Sequence, residues 1–214
     1  MSVKRHARGA TQLPIVSFKS AKAWESWLAA NHASSTGIWL RIAKKDTGLA
    51  SVSYAEALDV SLCYGWIDGQ KRPGDNRSWL QKFTPRRPDS PWSQRNRARV
   101  AALTDAGRMR PAGRRAVAEA KRSGKWAKAY ASPATARVPA DLGRALATDP
   151  AAKAFFERLD SANRYAILYR LQTAVSAATR AQRLERFMAM LRRHETLHPS
   201  RAQKRARVAE RSGT

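Results

Sequence analysis

Cys63–Arg72, CYGWIDGQKR, and Trp79–Arg87, WLQKFTPRR, are the two halves of the stretch that decides the fold. Trp66 to Lys71 reads as a strand, Pro73-Gly74-Asp75-Asn76 as a turn, and Arg77 to Phe83 as its antiparallel partner. Just upstream, Ser53 and Glu56 form a capping box. It opens a helix in which Tyr54, Ala57, Leu58, Ser61 and Leu62 share one stripe, and the helix stops at Gly65. The stretch is therefore a hairpin entered from a helix end. Polar groups set among large aromatics cost free energy unless they are paired or used. The candidate site is accordingly placed on Tyr64, Trp66, Asp68, Gln70, Lys71, Arg72, Trp79, Gln81, Lys82, Arg86 and Arg87.

Two readings of this site stand side by side. Trp66, Trp79 and Phe83 with Lys71, Arg72, Arg77 and Lys82 suit base stacking and phosphate neutralisation. Strand periodicity instead puts Trp66, Asp68 and Gln70 on one face and Ile67, Gly69 and Lys71 on the other, which favours packing Trp66 against helices. Asp68 is read as a turn or ladder partner, or as the counter-charge of Arg72 or Arg77, with the ion pair favoured. None of these residues completes a catalytic arrangement.

Working outward, Leu13 to Phe18 reads as a short strand. Ser20 caps a helix with Trp24, Trp27 and Leu28 on its apolar face, and His32 falls at that helix's end. Gly37 precedes a strand over Ile38 to Ala43. Past the hairpin the pattern becomes helical. Ser90-Pro91 reads as an N-cap with a first-position proline, starting a helix that runs to about Ala106, and residues 111 to about 130 form the next. Ala131 to Pro139 is a linker. Four helical segments follow: Asp141 to Ala147, Ala151 to Leu159, Ser161 to about Ala174, and Thr179 to about Arg193. In the last, Leu184, Phe187, Met188 and Leu191 make an apolar stripe, and Arg183, Arg186 and Arg193 face away. The expected fold is α+β: a small antiparallel sheet packed with helices, followed by an all-helical C-terminal module. The divisions are 1–12, a disordered basic arm; 13–130, an N-terminal α+β domain; 139–199, the helical module; and 200–214, a disordered basic tail.

The 214 residues carry 41 Lys and Arg against 16 Asp and Glu, a formal charge of +25. The excess is spread over both halves, 17 against 7 in residues 1–100 and 24 against 9 beyond. Such a field favours anionic partners and makes the attraction salt-dependent, although an Arg- and Ala-rich chain also reflects composition bias. No stretch approaches ~20 apolar residues and no apolar run follows the basic N-terminus, so no transmembrane segment or export signal is expected and the expected location is cytoplasmic. Cys63 is the only cysteine, which excludes an intrachain disulfide and reads as a small buried side chain.

His194-Glu195-Thr196-Leu197-His198 matches the H-E-x-x-H pattern of zinc proteases. Pro199 biases His198 away from the helical region, so the two imidazoles are not expected on one helical face. No metal and no cofactor are expected.

Several separated segments carry a resemblance: TGIWLRIAKK (36–45), SYAEALDVSLCYGWIDGQKR (53–72), WLQKFTPRRPDSPWS (79–93), GRMRPAG (107–113), LDSANRYAILYRLQTA (159–174) and ETLHP (195–199). In this order they resemble the YdeI/OmpD-associated proteins of bacteria, over about residues 13–199. The resemblance implies association of the helical module with an envelope or porin-related protein, and protection against bacteriocins and cationic antimicrobial peptides. Family descriptions favour the periplasm. It carries over no catalytic residue. A chain of charge +25 repels a cationic peptide, so simple sequestration is disfavoured and occupation of anionic sites on a porin or on lipid suits the sign. The expectation is a non-enzymatic protein of this type with a role in envelope stress. The alternatives are a general nucleic-acid-binding protein, and a small-ligand-binding protein using the cleft near Trp66 and Asp68.

Overall fold

The computed structural model describes residues 12–199; the expected basic arm (apart from its last residue, Gln12) and the expected C-terminal tail lie outside them. Two compact units form. Among the described residues, the first comprises 12–90 with Asn96–Gly124, the second Pro91–Arg95 with 125–199.

In the first unit, β1 (Ile15–Ser17), α1 (Ala21–Asn31), β2 (Ile38–Ala43), α2 (Tyr54–Cys63), β3 (Trp66–Pro73) and β4 (Ser78–Pro85) build a four-stranded sheet in the order β1-β2-β4-β3. The sheet is mixed. β1 pairs parallel to β2, because α1 lies between them and acts as a crossover, and the other pairs are antiparallel. Ser20 caps α1, its hydroxyl accepting from Ala23 N at 3.2 Å. The capping box on α2 is complete, with Ser53 N donating to Glu56 and Glu56 N to Ser53 Oγ.

Ile38, Leu40 and Ile42 alternate inward from β2 and are buried with Phe83 and Trp66 under α1 and α2. Trp24 is the hub, with its ring 5.8 Å from Phe83, 6.2 Å from Trp66 and 5.3 Å from Trp27. Its indole N–H donates to Ala57 O at 3.1 Å, so the large aromatic is buried without an orphaned donor. Cys63 ends α2 inside this core, and burial raises its thiol pKa.

Two helices complete the described part of the first unit, although the first of them begins in the second. α3 spans Gln94–Asp105, starting later than the Ser90-Pro91 signal suggested. Ser93 instead forms a bridge with Tyr130, and Tyr130 N donates to Trp92 O. α4 spans Pro111–Arg122 and is shorter than the expected helix, ending before Gly124, which has φ +71°.

The second unit is helical: α5 (Ala140–Ala147), α6 (Pro150–Arg158), α7 (Ser161–Gln172) and α8 (Ala177–Arg192). Leu142, Phe156, Ile167, Leu171, Phe187 and Leu191 form its core, with the predicted Met188 beside them and Leu184 packed against it. Asp149, Asp160 and Ser176 cap three of the helices through backbone N–H groups. Asp141 at the start of α5 grips Arg180 of α8 through two bonds of 2.7 and 2.8 Å. α8 ends at Arg192, and His194 follows in the left-handed region with φ +54°. His194 therefore lies beyond the helix, stacked on Phe155 at 4.8 Å, and not one helical turn from His198.

Candidate functional site

β3 and β4 pair from Trp66 opposite Pro85 to Pro73 opposite Trp79. Between Asp68 and Lys71 the register shifts: Asp68 faces Phe83 and Lys71 faces Gln81. Gly69 and Gln70 together therefore stand against Lys82 alone, which is a bulge. The extra residue reverses the alternation of faces. Simple periodicity put Lys71 opposite to Trp66 and Asp68, whereas the bulge returns it to their face. A side chain explains the bulge. Gln81 is 4% exposed, and its amide nitrogen reaches Gly69 O at 2.9 Å and Gln70 O at 3.2 Å. It supplies donors that a regular ladder would have supplied.

The reversal creates the site's main contact. Lys71 Nζ sits 4.1 Å from the centroid of the Trp79 ring, a cation on the negative face of an indole. On the opposite face of the same strand, Arg72 lies 4.1 Å over Trp39 of β2. Tyr54, from the first turn of α2, sits 6.0 Å from Trp79 and donates its hydroxyl to Asp68 Oδ2 at 2.7 Å. Asp68 is thus held by a phenol. The expected ion pair with Arg72 or Arg77 does not form, because Arg72 is stacked on Trp39 and Arg77 donates to Thr47 O at 3.0 Å.

The eleven expected residues fall into separate places. Trp66 is 1% exposed, edge-on to Trp24 and Trp27, with its N–H on His32 O at 3.1 Å. It is a core residue at the helix end of the hairpin. Tyr64, 7% exposed, is beside it against the His32 ring, and Arg86 N donates to Gly65 O nearby. Gln70 is exposed in the bulge, Lys82 lies alongside Gly69, and Arg87 is exposed beyond β4. Lys71 and Trp79 meet at the turn end, with Arg72 next to them in sequence but turned to the other face of the strand, over Trp39.

There Lys71 and Trp79, together with Arg72, line a groove of about 520 Å³ with Lys44 and Lys45, which are not among the expected site residues. The turn beneath is braced. Asp75 accepts from Arg41 at 2.6 Å, from Arg77 N at 2.9 Å and from Ser78 Oγ at 2.8 Å, and the hydrogen bond from Ser78 leads the effects that hold its carboxyl below the usual range. Lys44 Nζ donates to the carbonyls of Asp75 and Asn76. Tyr54 and Trp39 were also missed as site residues. Trp39 was legible in principle, since it alternates with buried Ile38 and Leu40, but Tyr54 carried no signal distinguishing it from its helix stripe.

A second groove, of about 560 Å³, lies within the helical unit along α7, lined by Pro133, Ala162, Tyr165, Ala166, Tyr169, Arg170, His198 and Ser161. Tyr165 is fixed by donating to Ala131 O at 3.0 Å. Burial, followed by the neighbouring Tyr130 and Tyr169, pushes its pKa up to about 12. Buried Asn163 ties His198 down, accepting from its N–H at 2.9 Å and donating to its carbonyl at 3.1 Å.

Fold and grooves together define a basic α+β protein with a helical C-terminal module and two candidate binding surfaces, one in each unit. Residues 135–194, which cover most of the helical module, match the model of the family described as bacteriocin-protection, YdeI or OmpD-associated. Residues 16–116, which include the hairpin, match a domain of unknown function (DUF8412). No curated protein and no solved structure matches the chain. No helix among the described residues is long and apolar enough to cross a membrane.

Proposed function

We propose that the protein is a non-enzymatic protection factor against bacteriocins and cationic antimicrobial peptides, acting in envelope stress through a protein partner held by the helical module. The match of residues 135–194 to the bacteriocin-protection family carries this reading. The α7 groove supports it. Tyr165, Tyr169, Ala162 and Ala166 give the groove an apolar lining, and Arg170 among them can attract a carboxylate. The charge of +25 also argues against trapping a cationic peptide directly and favours an envelope protein with acidic loops. In the hairpin, Asp68 is engaged by Tyr54, which suits a binding surface better than a general base awaiting a proton.

The test is complementation. In a strain lacking the protein, the wild-type chain should restore survival under bacteriocin challenge, and Tyr169→Ala or Arg170→Ala chains of unchanged melting temperature should not. Equal survival with and without the wild-type chain would sink the proposal.

A further inference from the structure

We propose that the groove at the turn end of the β3–β4 hairpin is a binding site for the phosphodiester backbone of single-stranded nucleic acid, with one base stacked on Trp79. This goes beyond the role of the helical module and does not depend on it. Four cations, Lys44, Lys45, Lys71 and Arg72, line the groove, and no carboxylate is among its lining residues. Lys71 and Arg72 have no ion-pair partner among the described residues; each rests on an indole, at 4.1 Å in both cases. Arg72 rests over the Trp39 ring, and its guanidinium carries the N–H fork that suits phosphate oxygens.

Lys71 is a cation parked on a surface that a base can use. Its flexible stem carries the ammonium from the Trp79 face to a phosphate in the same groove, and the vacated ring face takes the base. Charge and aromatic surface are thereby both satisfied, as in single-strand channels that pair a basic track with stacking platforms. A duplex keeps its bases stacked inside and offers Trp79 nothing. A lipid surface supplies phosphate without a planar ring, and the groove's only large apolar element is that indole.

The experiment measures binding of the full chain to a fluorescein-labelled thymidine oligomer of about 12 nucleotides, by anisotropy across a salt series centred on ~0.15 M. A duplex of equal length and phosphatidylcholine–phosphatidylglycerol vesicles serve as competitors at matched phosphate. Lys71→Gln, Arg72→Gln and Lys45→Gln should each flatten the log-affinity against log-salt slope by about 0.7. Trp79→Leu should weaken binding roughly tenfold with the slope unchanged, and Trp79→Phe should retain most of it. Arg158→Gln and Arg186→Gln, exposed charges of the helical unit, are the controls. The proposal is overturned if these controls flatten the slope as much as the groove variants, if Trp79→Leu of native circular dichroism binds as well as wild type, or if duplex or vesicles compete as effectively as the single strand. Should Trp79→Leu fail to fold, unchanged slopes for the three groove variants overturn it equally.

Discussion

Lys71 lies over Trp79 only because Gln81, two residues further along β4, props open a bulge in the facing strand. The Gln81 amide donates to the carbonyls of Gly69 and Gln70, and the extra residue turns Lys71 to the face that Trp79 shares. Gln81→Leu removes both bonds and should cost about 1–2 kcal/mol in urea unfolding. Gln81→Glu should cost more, since a carboxylate cannot donate to those carbonyls. If both variants unfold at the wild-type urea concentration, the bulge does not depend on this amide.

Gly113 permits the close approach of α4 to the end of α2. A Cβ at this position would stand 2.2 Å from Cys63 O and 2.7 Å from Leu62 O, both backbone atoms that cannot swing away. Gly113→Ala should therefore destabilise the first unit by about 3 kcal/mol, despite the better helix propensity of alanine. A thermal melt equal to wild type would show that α4 shifts freely. Gly107→Ala tests a different cause, because its Cβ meets nothing within 4 Å and only its φ of +67° opposes the change; its cost should be smaller, about 1 kcal/mol.

The Asp141–Arg180 pair gives the helical unit an acid-sensitive clamp. The hydrogen bond from Arg180 is the largest effect lowering the Asp141 carboxyl, and a backbone bond from Leu142 adds to it. A carboxylate lowered in the folded state contributes stability above its unfolded value of about 3.9, and that stability is lost as pH falls through the lower folded value. The pair is partly exposed, so screening reduces its worth to about 1 kcal/mol. Asp141→Asn should lower the melting temperature near neutral pH, and the gap from wild type should close in strong acid. A gap that persists undiminished in acid would assign the effect to packing.

Tyr165 has the opposite sign. Its phenol is pushed up to about 12, first by burial and then by Tyr130 and Tyr169. A group raised in the folded state contributes stability below its unfolded value of about 10 and loses it as pH rises through the folded one. In an alkaline ultraviolet titration a phase should appear well above the ordinary phenol value of about 10, and Tyr165→Phe should remove that late phase. Disappearance of a different phase would place the buried phenol elsewhere.

Local signals carried most of the architecture. Ser20, the Ser53–Glu56 box and the period-two run over Ile38 to Ala43 act through neighbours in sequence, and the structure has the corresponding elements at those positions. The α3 start was misread for the same reason. Ser90-Pro91 is a sound local signal, but the bridge between Ser93 and Tyr130 outweighs it from 37 residues away. In the hairpin, composition identified the stretch without arranging it: Trp66 serves the core, and Lys71, Arg72 and Trp79 serve the groove.

Sequence alone determined the elements, the helical C-terminal module, the sign of the charge and the burial of Cys63, because caps, periodicity and composition are properties of neighbouring residues. Tertiary structure alone decided that β1 runs parallel to β2, that Asp68 is held by Tyr54 and that Lys44 and Lys45 join the hairpin's cations. It also decided which way Lys71 points. One inserted residue reverses every side chain after it, and whether a strand bulges depends on a donor on the facing strand that no local pattern reveals.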